Sequence, residues 1–153
     1  MSKVKENKYH MPPFQTIFGR NYFKYKVTNY LDFFDVAEKG LHARVVIGFM
    51  DYFNINVNKM ANLLDTSTKT VYNWQKPEID IVLEKTKSMK LLELSDLFLY
   101  GIGVFESNSN FFEWLYEPNK ALGGNKPSDL LYSEVGKKMV RDILIRIVHG
   151  VYS

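Results

Sequence analysis

A chain of 153 residues and 17.9 kDa can bury roughly 70% of the surface its unfolded form would expose, so one core needs no covalent staple. The absence of cysteine excludes disulfide frameworks, thiolate metal sites and cysteine nucleophiles. A formal charge of +3, with 46% apolar and 24% charged residues, excludes both wholesale disorder and a uniformly basic surface, while the 15% aromatic content is high. No apolar run approaches the ~18 residues of a membrane span, and the first residues, MSKVKENKYHMPPF, hold no apolar signal core, so a cytoplasmic protein without membrane contact is expected. The charge is unevenly placed. Six lysines and arginines against Glu6 give residues 1–27 a net +5, and five lysines against three acids give residues 67–90 a net +2, a distribution that suits a polyanion at one face.

Residues 1–27 carry paired prolines and the interleaved stretch NYFKYK, with little apolar periodicity. They read as a basic, flexible tail with a short packed segment, or as an arm that follows phosphates or reaches a second subunit. Thr28 or Asn29 can cap a helix through Tyr30, Leu31, Phe33, Phe34 and Ala37, stopped at Gly40. A second helix is expected from about Leu41 to Phe53, with Val45, Val46, Phe49, Met50 and Phe53 at helical spacing. Both are assigned to the core.

Residues 55–76, INVNKMANLLDTSTKTVYNWQK, split their apolar residues into two groups, Val57 to Leu64 and Val71 with Trp74, separated by Asp65, Thr66, Ser67 and Thr68. The pattern predicts a helix-turn-helix over about 56–76, in which Asp65 takes the turn and Ser67 caps the second helix. With Val71 and Trp74 inward, Ser67, Thr68, Lys69, Thr70, Tyr72, Asn73 and Lys76 form a short, polar and basic set that can bond phosphates and base edges. The arrangement resembles the helix-turn-helix of Xre-type regulators, and a plain pair of packed helices is the other reading.

Residues 77–106 predict one long apolar helical segment starting at Pro77 and filled by Ile81, Val82, Met89, Leu92, Leu94, Leu97, Phe98, Ile102, Val104 and Phe105. The Gly101-Ile-Gly103 doublet has no third glycine and no preceding strand, so it reads as helix packing or a helix break. Ser107 to Asn110 then restart a helix through Phe111, Phe112, Trp114 and Leu115. A loop rich in turn formers follows, with Pro118, Gly123, Gly124 and Pro127 between Trp114-Leu115 and Leu130-Leu131, and reads as a rigid elbow. Only one residue separates Gly124 from Lys126, and proline follows, which excludes a phosphate loop. A last helix over 133–149 would place Val135, Met139, Val140, Ile143, Leu144, Ile147 and Val148 on an apolar face, with Lys137, Lys138, Arg141, Asp142 and Arg146 elsewhere.

The histidines, His10, His42 and His149, are too scattered for a metal-ligand spacing. No acid, base or nucleophile set emerges, so no enzyme, metal or cofactor is expected.

Trp114-Leu115, Pro118-Asn119, Ala121-Leu122-Gly123-Gly124, Pro127, Leu130-Leu131, Gly136, Val140, Leu144, Arg146-Ile147 and His149-Gly150 together resemble the toxin-binding domain of the Xre/MbcA/ParS antitoxin family. Ser128-Asp129 departs from the apolar-then-acidic pair more frequent after the proline. The resemblance implies an all-α protein, with an Xre-like DNA-binding domain at 28–106 before a toxin-binding domain at 107–153. It implies a type II antitoxin that occludes a cognate RES-type, NAD-degrading toxin and represses its own operon, as a homodimer or a larger complex on operator DNA. Asn119, Lys138, Arg141, Arg146, His149 and Tyr152 are then the expected toxin contacts. A stand-alone regulator whose C-terminal domain only dimerises is the alternative, and a toxin gene beside this one separates the two.

Overall fold

The computed structural model describes residues 14–150, and the architecture is all-α, with no β-strand among the described residues. The helices are α1 (Phe14–Phe18), α2 (Leu31–Lys39), α3 (Arg44–Phe53), α4 (Val57–Leu64), α5 (Thr68–Trp74), α6 (Lys85–Phe105), α7 (Asn108–Tyr116), α8 (Pro127–Leu130) and α9 (Glu134–Val148). A 3-10 turn, Lys120–Leu122, lies between α7 and α8.

The expected tail divides. Residues 1–13 lie outside the described residues, whereas Phe14, Ile17 and Phe18 repeat at helical spacing and are buried, with Phe23 behind them. Phe14 and Phe18 stack at 5.5 Å, and Phe14 meets Phe33 of α2 edge-on at 5.7 Å. The segment 18–26, where aromatic rings alternate with lysines, is therefore partly core: Phe18 and Phe23 go in, Tyr25 is half-buried, and Tyr22 stays out with the lysines.

In α2 the buried residues are Phe33, Val36 and Ala37, one face of the helix, and that face packs on α6. Leu31 and Phe34, which sequence periodicity had assigned to the core, fall off that face and are 75% and 60% exposed. The capping also differs in direction. Asp32 accepts from the Thr28 amide at 2.7 Å and its hydroxyl at 3.0 Å, and Asn29 Oδ1 accepts from the Leu31 amide at 2.8 Å. The bonds from Thr28, its amide first, hold the Asp32 carboxyl below its usual range.

The helix expected from Pro77 begins only at Lys85. Residues 81–83 instead pair with 41–43: the Leu83 amide donates to the Leu41 carbonyl at 2.7 Å, and the Ala43 amide to the Ile81 carbonyl at 2.8 Å. Ser88 closes the arrangement, accepting from the Leu41 amide at 2.9 Å and donating to the Leu83 carbonyl. Backbone groups bonded across the chain are unavailable to a helix ladder, so Ile81 and Val82 lie on the surface while Leu83 is buried. The same pairing takes up Leu41–Ala43 and delays α3 to Arg44.

The 21-residue α6 spans roughly 30 Å and is the hub, packed against α2, α4, α7 and α9. Neighbours on several sides explain why its apolar residues show no single stripe. Phe98 sits at its middle, with ring centroids 5.5 Å from Phe49, 5.4 Å from Phe53 and 5.6 Å from Phe111, so the aromatic content builds a ladder from α3 through α6 to α7. Gly101, buried in α6, lies against the Phe111 ring and serves helix packing, whereas Gly103 is exposed and a Cβ there would meet nothing.

Gly136 fixes how closely α9 approaches α8, because a Cβ there would overlap the Leu130 carbonyl. Backbone cannot step aside as a flexible side chain would. Gly136→Ala should therefore destabilise the fold by about 3 kcal/mol, the upper end of overpacking costs, and lower Tm by roughly 6–12 °C in calorimetry.

Candidate functional site

The helix-turn-helix forms from the residues expected of it. The Asn56 side chain caps α4, accepting from the Lys59 amide at 2.9 Å. Asp65 ends the helix in the left-handed region at φ 52° and ψ 53°, and the Thr66 amide closes the turn onto the Ala61 carbonyl at 2.9 Å. Ser67 caps α5 through the Thr70 amide at 3.1 Å, with the Thr70 hydroxyl 2.9 Å from its own oxygen. Small, buried Ala61 lets the helices meet, and Val71 and Trp74 face the core.

Those inward residues leave Thr68, Lys69 and Tyr72 exposed on the outer side of α5, with Thr70 and Asn73 half-buried and Lys76 exposed in the bend two residues beyond it. The Ser67 and Thr70 hydroxyls already serve the cap, so they position the helix, whereas Lys69, Tyr72, Asn73 and Lys76 remain the groups aimed outward. Sequence reasoning missed Gln75, Asn56 and Asn58, which share a hollow of about 420 Å³ with Tyr72. Gln75 follows the helix and the asparagines start α4, so only the turn's geometry brings them beside the α5 face.

The C-terminal helix departs from its expected division of labour. Gly136, Lys137, Val140, Ile143 and Leu144 are buried, while Val135, Met139 and Val148 are 71%, 42% and 43% exposed. Lys137, assigned to the solvated side, is only 6% exposed. Its ammonium donates to Glu93 of α6 at 2.5 Å and to Glu134 at 2.7 Å. Positions 137, 140 and 144 share one face, so the lysine follows its helix inward and survives there because two carboxylates meet it.

Arg141 is also engaged within the fold. Its guanidinium donates to Asp96 of α6 at 2.6 Å, Tyr30 donates to the same carboxylate oxygen at 3.1 Å, and the Arg141 group lies 5.4 Å from the Tyr100 ring centroid. Asp96 is buried. Tyr30, Asp96 and Arg141 line a cleft of about 440 Å³ between α2 and α9, with Phe33, Met89 and Leu97. Burial raises the Tyr30 phenol pKa, reinforced by the Asp96 charge. Burial likewise raises Glu93, against the pull of Lys137, while the bond from Lys137 lowers Glu134.

The elbow closes on its own backbone. Asn119 accepts through its side chain from the Ala121 amide at 2.9 Å, its carbonyl accepts from Gly124 at 2.9 Å, and its amide donates to the Asn125 carbonyl at 3.0 Å. Gly123 and Gly124 take φ values of 66° and 87°, the left-handed region that glycine enters without strain. Pro127 is buried as the first residue of α8, Pro118 is exposed, and Trp114 lies 5.5 Å from Phe105. Asn119 thus spends its side chain on the loop itself.

Of the other expected toxin contacts, Lys138 is exposed and pairs with Asp142 at 3.0 Å, Arg146 and His149 are exposed at the end of α9, and Tyr152 lies outside the described residues. One exposed edge of α9 carries Val135, Met139 and Arg146, with Tyr132 just before the helix.

Residues 102–150, from the last turn of α6 to the turn beyond α9, match the family described as the antitoxin Xre/MbcA/ParS C-terminal toxin-binding domain. A chain of the solved structure titled the M. tuberculosis MbcT–MbcA toxin–antitoxin complex matches with a TM-score of 0.50 and 19% identity, over 72% of this chain and 96% of that one. That likeness is one of fold. No curated protein matches.

Lys137→Met leaves Glu93 and Glu134 facing each other without a cation. It should cost about 1 kcal/mol near neutral pH, less than the ~3 kcal/mol of a fully buried pair, because Glu93 is only half-buried and Glu134 is exposed, so water screens the charges left behind. Glu93, already raised, then rises further, and a group whose folded pKa lies above its unfolded value loses stabilisation as pH climbs through it. The Tm deficit of the variant should accordingly shrink as pH is lowered from 7 towards the carboxylate range, read by thermal melts across that interval.

Proposed function

We propose that this chain, an Xre/MbcA/ParS-type antitoxin by its match over residues 102–150, silences a cognate toxin by covering its active cleft with α9 and represses its own operon through α5. The match over 102–150 carries the first half of this reading. The toxin is a RES-type, NAD-degrading enzyme, the partner class implied by the sequence resemblance set out above.

The exposed edge of α9 supplies the contact. Val135 and Met139 offer apolar anchors, and Arg146 and His149 extend the edge with groups that can meet an anion-binding cleft through charge-assisted bonds. Lys138 sits beside this edge. Arg141 works behind it: its guanidinium holds α9 to Asp96, so its loss would loosen the helix that presents the edge.

The DNA half is supported by the capped turn and by the polar outer side of α5, where Lys69, Tyr72, Asn73 and Lys76 face a potential major groove. A two-fold operator requires two such helices, so the chain acts as a homodimer or within a larger toxin–antitoxin complex.

Co-expression with the adjacent gene tests the whole reading: the wild-type chain should co-purify with that gene's product and restore growth. Replacing Val135 and Met139 together by aspartate should weaken toxin binding at least roughly tenfold, measured by calorimetry, with Tm unchanged because both side chains face solvent. Rescue undiminished by that change would move the toxin contact elsewhere. Replacing Lys69 and Asn73 by alanine should weaken operator binding roughly a hundredfold or more in gel shifts, and retained sequence-specific binding would remove α5 as the recognition helix.

A further inference from the structure

The basic side chains divide between those that meet carboxylates and those, including Lys90 of α6 and Arg146 of α9, that meet none among the described residues. Lys85 and Lys87 of α6, and Lys137, Lys138 and Arg141 of α9, all meet carboxylates. Lys59, Lys69 and Lys76 of the helix-turn-helix region and Lys120 and Lys126 of the elbow take part in no ion pair among the described residues. Where two unneutralised lysines lie close together they raise the local potential that a polyanion would meet.

Two of them, Lys59 of α4 and Lys126 at the cap of α8, meet across a hollow of about 190 Å³ that Asn62, Tyr116, Ser128 and Asp129 also line. The Lys59 ammonium lies 4.0 Å from the centroid of the Tyr116 ring, which holds it at the mouth of the hollow. The Tyr116 hydroxyl is buried without a hydrogen-bond partner, and burial pushes its pKa up to about 12, so it keeps its proton. The Ser128 hydroxyl and the Asn62 amide make no hydrogen bond among the described residues either. Asp129 also lines the hollow and pairs with neither lysine, so the two ammonium groups outweigh its single negative charge. Two free cations with an unspent hydroxyl and amide between them match an anion, and these are the residue types that contact nucleic-acid phosphates.

The position selects which anion. In a helix-turn-helix the second helix enters the groove while the first crosses the sugar–phosphate backbone, and Lys59 and Asn62 lie on the outward face of that first helix. We infer that the hollow between α4 and the elbow holds a backbone phosphate of the duplex that α5 enters, so that Lys126 and Ser128 of the toxin-binding domain form part of the DNA contact. The inference rests on α5 being the DNA-recognition helix. It joins the two functions physically, because the loop that sets the angle of α9 also closes on the nucleic acid.

Replacing both lysines by methionine, Lys59→Met with Lys126→Met, keeps the aliphatic stems over Tyr116 and removes the charges. Binding of random-sequence duplex DNA, followed by fluorescence anisotropy over a series of salt concentrations, should show a plot of log K against log salt shallower by about 1 than that of wild type. The duplex from upstream of its own gene should lose affinity by the same factor, since a phosphate contact carries no sequence information. Arginine at both positions should restore the slope, and toxin capture and Tm should stay at wild-type values. Wild type that binds duplex with a slope the double variant leaves unchanged overturns the site alone. A double variant that keeps its DNA slope and loses the toxin overturns it too, in favour of an acidic side chain of the toxin. Wild type that binds no duplex at any salt overturns the recognition-helix reading and this site together.

Discussion

The interaction on which the arrangement depends is the buried ammonium of Lys137 between Glu93 and Glu134. Desolvating an ion costs several kcal/mol, and only close opposite charge offsets that. A hydrophobic face alone would let α9 slide or rotate on α6 with little penalty. A buried lysine that must reach one glutamate on the neighbouring helix admits a single register, and the Asp96–Arg141 pair, one turn further along α9, repeats the constraint. Both pairs join α9 to the hub helix, and each has one buried member, Lys137 or Asp96, so the orientation of the exposed edge follows from buried charges that must be met.

Gly136 and the elbow set the other coordinate of α9, its distance. The Leu130 carbonyl occupies the space a side chain at 136 would need, and the Asn119, Gly124 and Asn125 backbone bonds hold the loop leading to it. The elbow therefore fixes how near α9 lies to α8, while the ion pairs fix its rotation. Neither feature touches a toxin in this account, yet each determines what Val135, Met139 and Arg146 present.

The same loop packs α8 against α4, which brings the C-terminal part of the chain to the first helix of the helix-turn-helix. The two halves of the chain share one aromatic core through Phe98 and one charged junction through Lys59 and Lys126. Tyr116 exemplifies that junction. Its ring supports Lys59 while its hydroxyl is left without a partner.

Local chemistry was legible in the sequence. Ser67, Asp65 and Ser107 announced caps, turns and helix starts because each acts on backbone groups within a few residues of itself, whereas Pro127, read as part of the loop, opens the short α8. The spacing of Val71 and Trp74 settled the outward side of α5 for the same reason, and the elbow's fixed residue types pointed to the family. Tertiary structure decided what depends on distant partners. It moved the start of α6 from Pro77 to Lys85 because residues 81–83 found 41–43, and it drew Phe14 and Phe18 into the core because Phe33 and α3 waited there. It also turned Lys137 and Arg141 from expected surface charges into internal fasteners, since a lysine in an amphipathic pattern reads as solvated unless a carboxylate 44 residues away is seen to meet it.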